Sequence, residues 1–124
     1  AHSPSKLKAT SSAMKKQFIG RKLVACMELH TFSSLNEEFL QQYKGCMDEP
    51  DIAIVYFSPE AIAHKKLESI TTKQVYSAFA REGLLVFTDS KKLEEHLQQL
   101  DWKNQNLLMM SSGNFDNIDI MYLI

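Results

Sequence analysis

At 124 residues the chain is long enough for one domain with a real core and too short for two, and 44% apolar against 23% charged residues is an ordinary globular balance. Its formal charge of −1 comes from interleaved basic and acidic residues with no evident basic patch, which argues against nucleic-acid or membrane-surface binding. No stretch approaches the roughly 20 apolar residues of a membrane span.

Ser3 before Pro4 reads as a helix start, with serine as N-cap and proline at the first helical position. Leu7, Met14 and Phe18 then mark one face, Lys6, Lys8, Lys15 and Lys16 face water, and Gly20 sits where a C-terminal cap belongs. Leu23 to Leu29 is a nearly unbroken apolar run, the pattern of a strand covered on both faces. Ser34 and Glu37 make a capping box for a helix carrying Leu35, Phe39 and Tyr43 and stopping near Gly45. Asp51 to Phe57 (DIAIVYF) is a second buried strand, and Pro59 to Ser69 a loop with a short helical turn. Thr71 and Gln74 form another capping box, for a helix with Val75 and Phe79 that ends before Gly83. Leu84 to Thr88 is a third strand, Ser90 caps a helix with Leu93, Leu97 and Leu100 on one face, and Asn106 to Met110 is a fourth strand.

Strands separated by helices of ten or more residues require crossover connections, hence an α/β fold: a three-layer sandwich with a mostly parallel, Rossmann-like sheet. Ligands of such sheets gather at the carboxyl ends of the strands. Three polar segments fall there: 30–34, 58–66 and 111–117. His30, directly after the first strand, is as consistent with a ligand contact as with a structural role. Thr31 and Ser33 fit either a site or an ST-turn, and Ser34 already has a role as a cap. Ser111, Ser112, Gly113 and Asn114 form either a tight turn or a nest of N–H groups for an anion or carboxylate. His64 reads as a loop surface residue, His96 as a solvated helix residue, and His2, by position alone, as an unremarkable terminal residue.

The absences narrow the chemistry. There is no GxGxxG for a dinucleotide, no GxxxxGK[ST] for nucleotide phosphates and no GxSxG elbow. Cys26 and Cys46 lack CxxC or metal-like spacing and read as reduced thiols of a cytosolic protein. The opening AHSPSKLKAT lacks a methionine and reads as a piece cut from a longer protein.

Three runs in order, AHSPSKLKAT, ELHTFSSL and LLMMSSGNFDNID, resemble the C-terminal domain of the Mur ligases over essentially the whole chain. The resemblance implies a third domain, residues 1–124, of a cytoplasmic, ATP-dependent enzyme that forms amide bonds in peptidoglycan synthesis. ATP would phosphorylate the carboxylate of UDP-N-acetylmuramate, and an incoming amine would attack the acyl phosphate. ATP and Mg²⁺ would be held mainly by a central domain, and the partners would be the N-terminal and central domains together with the substrates, with no nucleic acid and no membrane. By position His2 matches the histidine of the family's first motif, His30 and Thr31 the segment after the first strand, Ser33 and Ser34 the polar residues following it, and Ser111 to Asn114 the loop facing the incoming substrate. No metal ligand and no catalytic residue is implied in this piece, and no arginine stands at 30 or 31 where the family often has one. The closing run is more similar to members that join the tripeptide L-alanyl-γ-D-glutamyl-meso-diaminopimelate to UDP-N-acetylmuramate than to those that add L-alanine. Two further readings compete: a free-standing α/β binding module, and a thiol or metal site using Cys26 and His30.

Overall fold

Four parallel strands in the order β3-β2-β1-β4 make the centre of the molecule, with helices on both faces. The computed structural model describes residues 4–29, 40–60 and 70–110. In chain order these hold α1 (Pro4–Gln17), β1 (Lys22–Glu28), a 3₁₀ turn (Gln41–Tyr43), β2 (Ile52–Tyr56), α2 (Thr72–Phe79), β3 (Leu85–Phe87), α3 (Ser90–Gln99) and β4 (Gln105–Met110). The expected α/β sandwich with a parallel sheet is what the chain forms.

The faces follow from strand periodicity. Ala25, Met27 and Leu29, with Ala53, Val55 and Phe57, point to one side and pack with Leu7 of α1, Tyr43, and Val75 and Phe79 of α2. The Tyr43 and Phe79 rings stack there at 5.0 Å. Val24, Cys26, Ile54 and Tyr56 point to the other side, where Leu93 and Leu97 of α3 cover them. Burial of β1 on both faces is why its sequence lacks the polar alternation of a half-exposed strand.

The order of the strands and the placement of the helices are one fact. From β1 to β2 to β3 the chain steps in one direction, so right-handed crossovers keep the 3₁₀ turn and α2 on a single face. From β3 it returns past β2 and β1 to pair β4 with β1, and the same handedness places α3 on the opposite face.

Local signals explain most boundaries. The capping box of α2 is present: the Thr71 hydroxyl accepts from the Gln74 N–H at 3.1 Å, and the Gln74 side-chain oxygen accepts from the Thr71 N–H at 2.8 Å. The left-handed residue closing α2 is Ala80, at φ 51°, rather than Gly83. Three expectations change. The cap of α3 is Asp89, whose carboxylate accepts from the Lys91 N–H at 2.9 Å, and Ser90 is the first helical residue. Both can cap, and the aspartate comes one residue earlier in the chain. Phe18 does not continue the buried face of α1; the helix ends at Gln17 and Phe18 lies in the following turn, 37% exposed. His96 is half-buried rather than fully solvated, its ring tilted against Phe87 at 5.4 Å. The helix expected from Ser34 lies outside the described residues up to residue 39, and a 3₁₀ turn follows at Gln41–Tyr43.

Asp51 fastens α1 to the sheet at the amino edge. Its carboxylate accepts from the Leu23 N–H at 2.7 Å and from Lys15 Nζ at 2.9 Å. Burial alone would raise its pKa, but these two hydrogen bonds and the charges of Lys15 and Lys22 outweigh burial and hold it below the usual aspartate value. A carboxyl depressed in the folded state contributes stability that is present above its unfolded pKa and lost as pH falls through the folded value. Asp51→Asn is therefore expected to destabilise the chain at neutral pH, with the difference from the parent shrinking in acid. Urea unfolding of both at pH 7 and at about pH 3 checks this; a difference that stays constant would show that the charge of Asp51 is irrelevant.

Candidate functional site

β1 and β4 are neighbours, and the register Met27↔Met110 ends them on the same edge of the sheet. Here the strand order reverses, since the chain leaves β1 toward β2 and arrives at β4 from the opposite side. In open parallel sheets this reversal, at the carboxyl edge, leaves a crevice that side chains do not fill. Leu29, the last described residue after β1, is tied in by its N–H donating to the Tyr56 carbonyl at 2.9 Å. The segments beginning at residues 30 and 111 therefore start from adjacent strand ends.

All the residues singled out from the sequence, His2, His30, Thr31, Ser33, Ser34, Ser111, Ser112, Gly113 and Asn114, lie outside the described residues, as does His64. Their described neighbours converge. Leu29 and Met110 occupy adjacent strand ends. Pro4 opens a helix of 14 residues, about 21 Å long. α1 turns directly into β1, so Pro4 lies toward the same carboxyl edge.

The described part of that edge holds a cleft of about 480 Å³ beyond β2 and β3. Ser58 and Glu60 line it from the β2 side, and Thr88, Asp89 and Lys91 from the β3 side, with Tyr56 at its base. Asp89 is engaged as the cap of α3, and the other charged groups lining the cleft are Glu60 and Lys91. A lining with a carboxylate, an ammonium and the hydroxyls of Ser58, Thr88 and Ser90 suits a small zwitterion or a peptide end, since each of its charges can meet the opposite sign.

Glu28 closes β1 on this edge, 4% exposed and paired in register with Tyr56. An acidic residue this buried is uncommon, and it was passed over in the sequence. Its signal was present: Glu28 is the one charged residue in the run from Leu23 to Leu29. Ser58 and Glu60 belong to the polar segment 58–66 expected at a strand end, while Thr88 and Lys91 were missed. The two pairs come from loops about thirty residues apart, and no motif links them.

Neither cysteine is prepared for chemistry. Cys26 lies between the sheet and α3, and burial pushes its thiol up to about 12. Burial also raises Cys46, with Lys8 opposing it, and its Sγ donates to the Gln42 carbonyl at 3.7 Å. A thiol that stays protonated is a poor nucleophile and a poor metal ligand, which removes support for a site built on Cys26. Among the described residues no group of three or more His, Cys, Asp or Glu could hold a metal ion.

No protein-family model matches the chain. It is 27% identical over 120 residues to the UDP-N-acetylmuramate–L-alanine ligase of Sulfurihydrogenibium sp., covering 95% of this chain and 26% of that protein. It is 28% identical over 120 residues to the ligase of the same name from Persephonella marina, covering 92% of this chain and 25% of the relative. The chain thus spans about a quarter of the length of these curated relatives. Among solved structures, a domain of a protein assigned as a UDP-N-acetylmuramate:L-alanyl-γ-D-glutamyl-meso-diaminopimelate ligase in Haemophilus ducreyi has a TM-score of 0.61 at 20% identity, over 99% of this chain and 83% of that one. A murein peptide ligase from Psychrobacter arcticus has a TM-score of 0.66 at 18% identity, over 99% of this chain and 25% of the other. The fold is the one these ligases contain.

Proposed function

From its likeness in sequence and fold to the C-terminal domain of the Mur ligases, we propose that this chain is the third domain of an ATP-dependent ligase that extends UDP-N-acetylmuramate in peptidoglycan synthesis or recycling. Its task is to close over the nucleotide and hold the incoming amine against the acyl phosphate. Holding two reactants in line removes the entropy of bringing them together, which alone can supply several kcal/mol of rate enhancement. The chain lacks GxxxxGK[ST], and nucleotide phosphates and metal are assigned to a central domain. The fragment alone is accordingly proposed to be inactive.

The observation that carries this reading is the pairing of β1 with β4, which starts segments 30–34 and 111–114 from adjacent points on the carboxyl edge. His2, His30, Thr31, Ser33, Ser34 and Ser111 to Asn114 are proposed to line the substrate side of the cleft that the missing domains complete. The cleft bounded by Glu60 and Lys91 continues this rim and fits the charged ends of an amino acid or peptide.

The tripeptide L-alanyl-γ-D-glutamyl-meso-diaminopimelate is the favoured incoming substrate, supported by the closing run MSSGNFDNID. L-alanine is the second reading, supported by the names of the curated relatives. The experiment supplies the full-length protein with UDP-N-acetylmuramate, ATP and Mg²⁺, with either tripeptide or L-alanine, and identifies products by mass. Tripeptide product is expected; L-alanine product alone establishes the second reading, and no product with either leaves a binding module.

His30→Ala in the full-length protein is expected to lower kcat/KM about tenfold, roughly 1.4 kcal/mol, with an unchanged melting temperature. Full activity with lowered stability would make His30 a structural residue.

A further inference from the structure

The charges are not interleaved everywhere. Glu28 is the first acidic residue of the chain, and six of the 14 basic residues precede it: Lys6, Lys8, Lys15, Lys16, Arg21 and Lys22. That leaves eight basic against 15 acidic residues for the remainder, so basic charge is concentrated in the segment up to Lys22. The basic part also carries the most exposed large apolar side chain among the described residues. Ile19 is 88% and Phe18 37% exposed, neighbours in the tight turn between α1 and β1. The turn is closed by the Arg21 N–H donating to the Phe18 carbonyl at 3.2 Å and by Gly20 at φ +90°, and it projects Ile19 from the amino edge. A single exposed isoleucine would need no explanation. Two contiguous apolar residues at a projecting turn, flanked by Lys16, Arg21 and Lys22, combine the two features that bind a protein to an anionic lipid surface.

We propose that the turn at Phe18–Ile19, with Lys16, Arg21 and Lys22 around it, docks the protein reversibly on an anionic membrane surface. This departs from the expectation of no membrane partner, which rested on charge counted over the whole chain. It involves no spanning segment: among the described residues no helix is long and apolar enough to cross a bilayer. Lys16 and Lys22 are exposed, while Lys15 is engaged with Asp51 and contributes less. The Arg21 guanidinium is held by Asn106 Oδ1 at 2.8 Å and the Gln105 carbonyl at 3.0 Å, which fixes its positive charge beside the turn. The same edge also carries acidic residues, Asp48 and Glu49 in the turn before β2, Asp51 bound to Lys15, and Asp101 before β4, so the attraction rests on Lys16, Arg21 and Lys22 at the turn itself. Lipid is favoured over nucleic acid because the more exposed of the two apolar residues, Ile19 at 88% against 37% for Phe18, is aliphatic and suits insertion among acyl chains rather than stacking on bases. Docking at the amino edge leaves the carboxyl edge open, since the seven residues of β1 set the two about 23 Å apart.

The test is co-sedimentation of the full chain with vesicles of phosphatidylcholine alone and with about one third phosphatidylglycerol, at low and moderate salt. Binding is expected only to the anionic vesicles and weakens with salt. Ile19→Asp is expected to lower the partition coefficient about tenfold, and the double change Lys16→Glu with Lys22→Glu by more than that. These positions are exposed, and retained Trp102 fluorescence verifies that each variant is folded. The proposal is overturned by absence of binding to the anionic vesicles, by binding indifferent to Ile19→Asp, or by single-stranded RNA displacing the protein from them.

Discussion

Leu97→Ala is expected to destabilise the chain by about 3 kcal/mol, the usual cost of removing a buried leucine from a site that cannot collapse. Leu93 and Leu97 are fully buried, and they are the side chains through which α3 seals the second face of the sheet over Val24, Cys26, Ile54 and Tyr56. The residue also positions its surroundings, because the Trp102 indole N–H donates to the Leu97 carbonyl at 2.9 Å. Trp102 is the one tryptophan of the chain and packs against the same cluster. Urea unfolding followed by tryptophan fluorescence therefore reports on this layer directly. A loss below about 1 kcal/mol would mean that the second face is not sealed by α3 as described.

Arg81→Met is expected to lower stability by a similar amount, about 2–3 kcal/mol, though for a different reason. The guanidinium follows α2 and reaches the segment before β2, donating to the carbonyls of Met47 at 2.9 Å, Pro50 at 2.6 Å and Asp51 at 3.3 Å, and to its neighbour Glu82 at 2.6 Å. Met47 and Pro50 are buried, so methionine would fill the volume of the side chain and leave their carbonyls without the donor. Arg81→Lys is expected to restore little, since one ammonium cannot span carbonyls that a planar fork reaches together. Equal stability of the lysine variant and the parent would show that charge rather than geometry matters here.

Much of the fold is legible in the letters because its determinants are local. The unbroken run Leu23–Leu29 announces a doubly covered strand, and Thr71 with Gln74 announces the first turn of α2. What local signals do not carry is the insertion of β4 beside β1 rather than beside β3, which depends on the handedness of the α3 crossover over the completed sheet. Phe18 keeps the helical spacing of Leu7 and Met14 one step beyond the helix end, so periodicity overreached. Asp89 and Ser90 are both good caps, and spacing alone could not choose between them. The site was legible in a different way. The segments after β1, β2 and β4 stand out as polar runs after apolar strands, whereas Thr88 and Lys91 join Ser58 and Glu60 only when the strand ends are brought together.

The central claim is that two segments far apart in sequence, 30–34 and 111–114, share one substrate-facing cleft because their strands are paired. A double-mutant cycle in the full-length protein measures this most directly, with kcat/KM for the incoming substrate determined for His30→Ala, Asn114→Ala and the pair. Residues facing one cleft are expected to couple by more than about 0.5 kcal/mol; effects that add to within about 0.3 kcal/mol would place the two segments at separate sites and contradict the account.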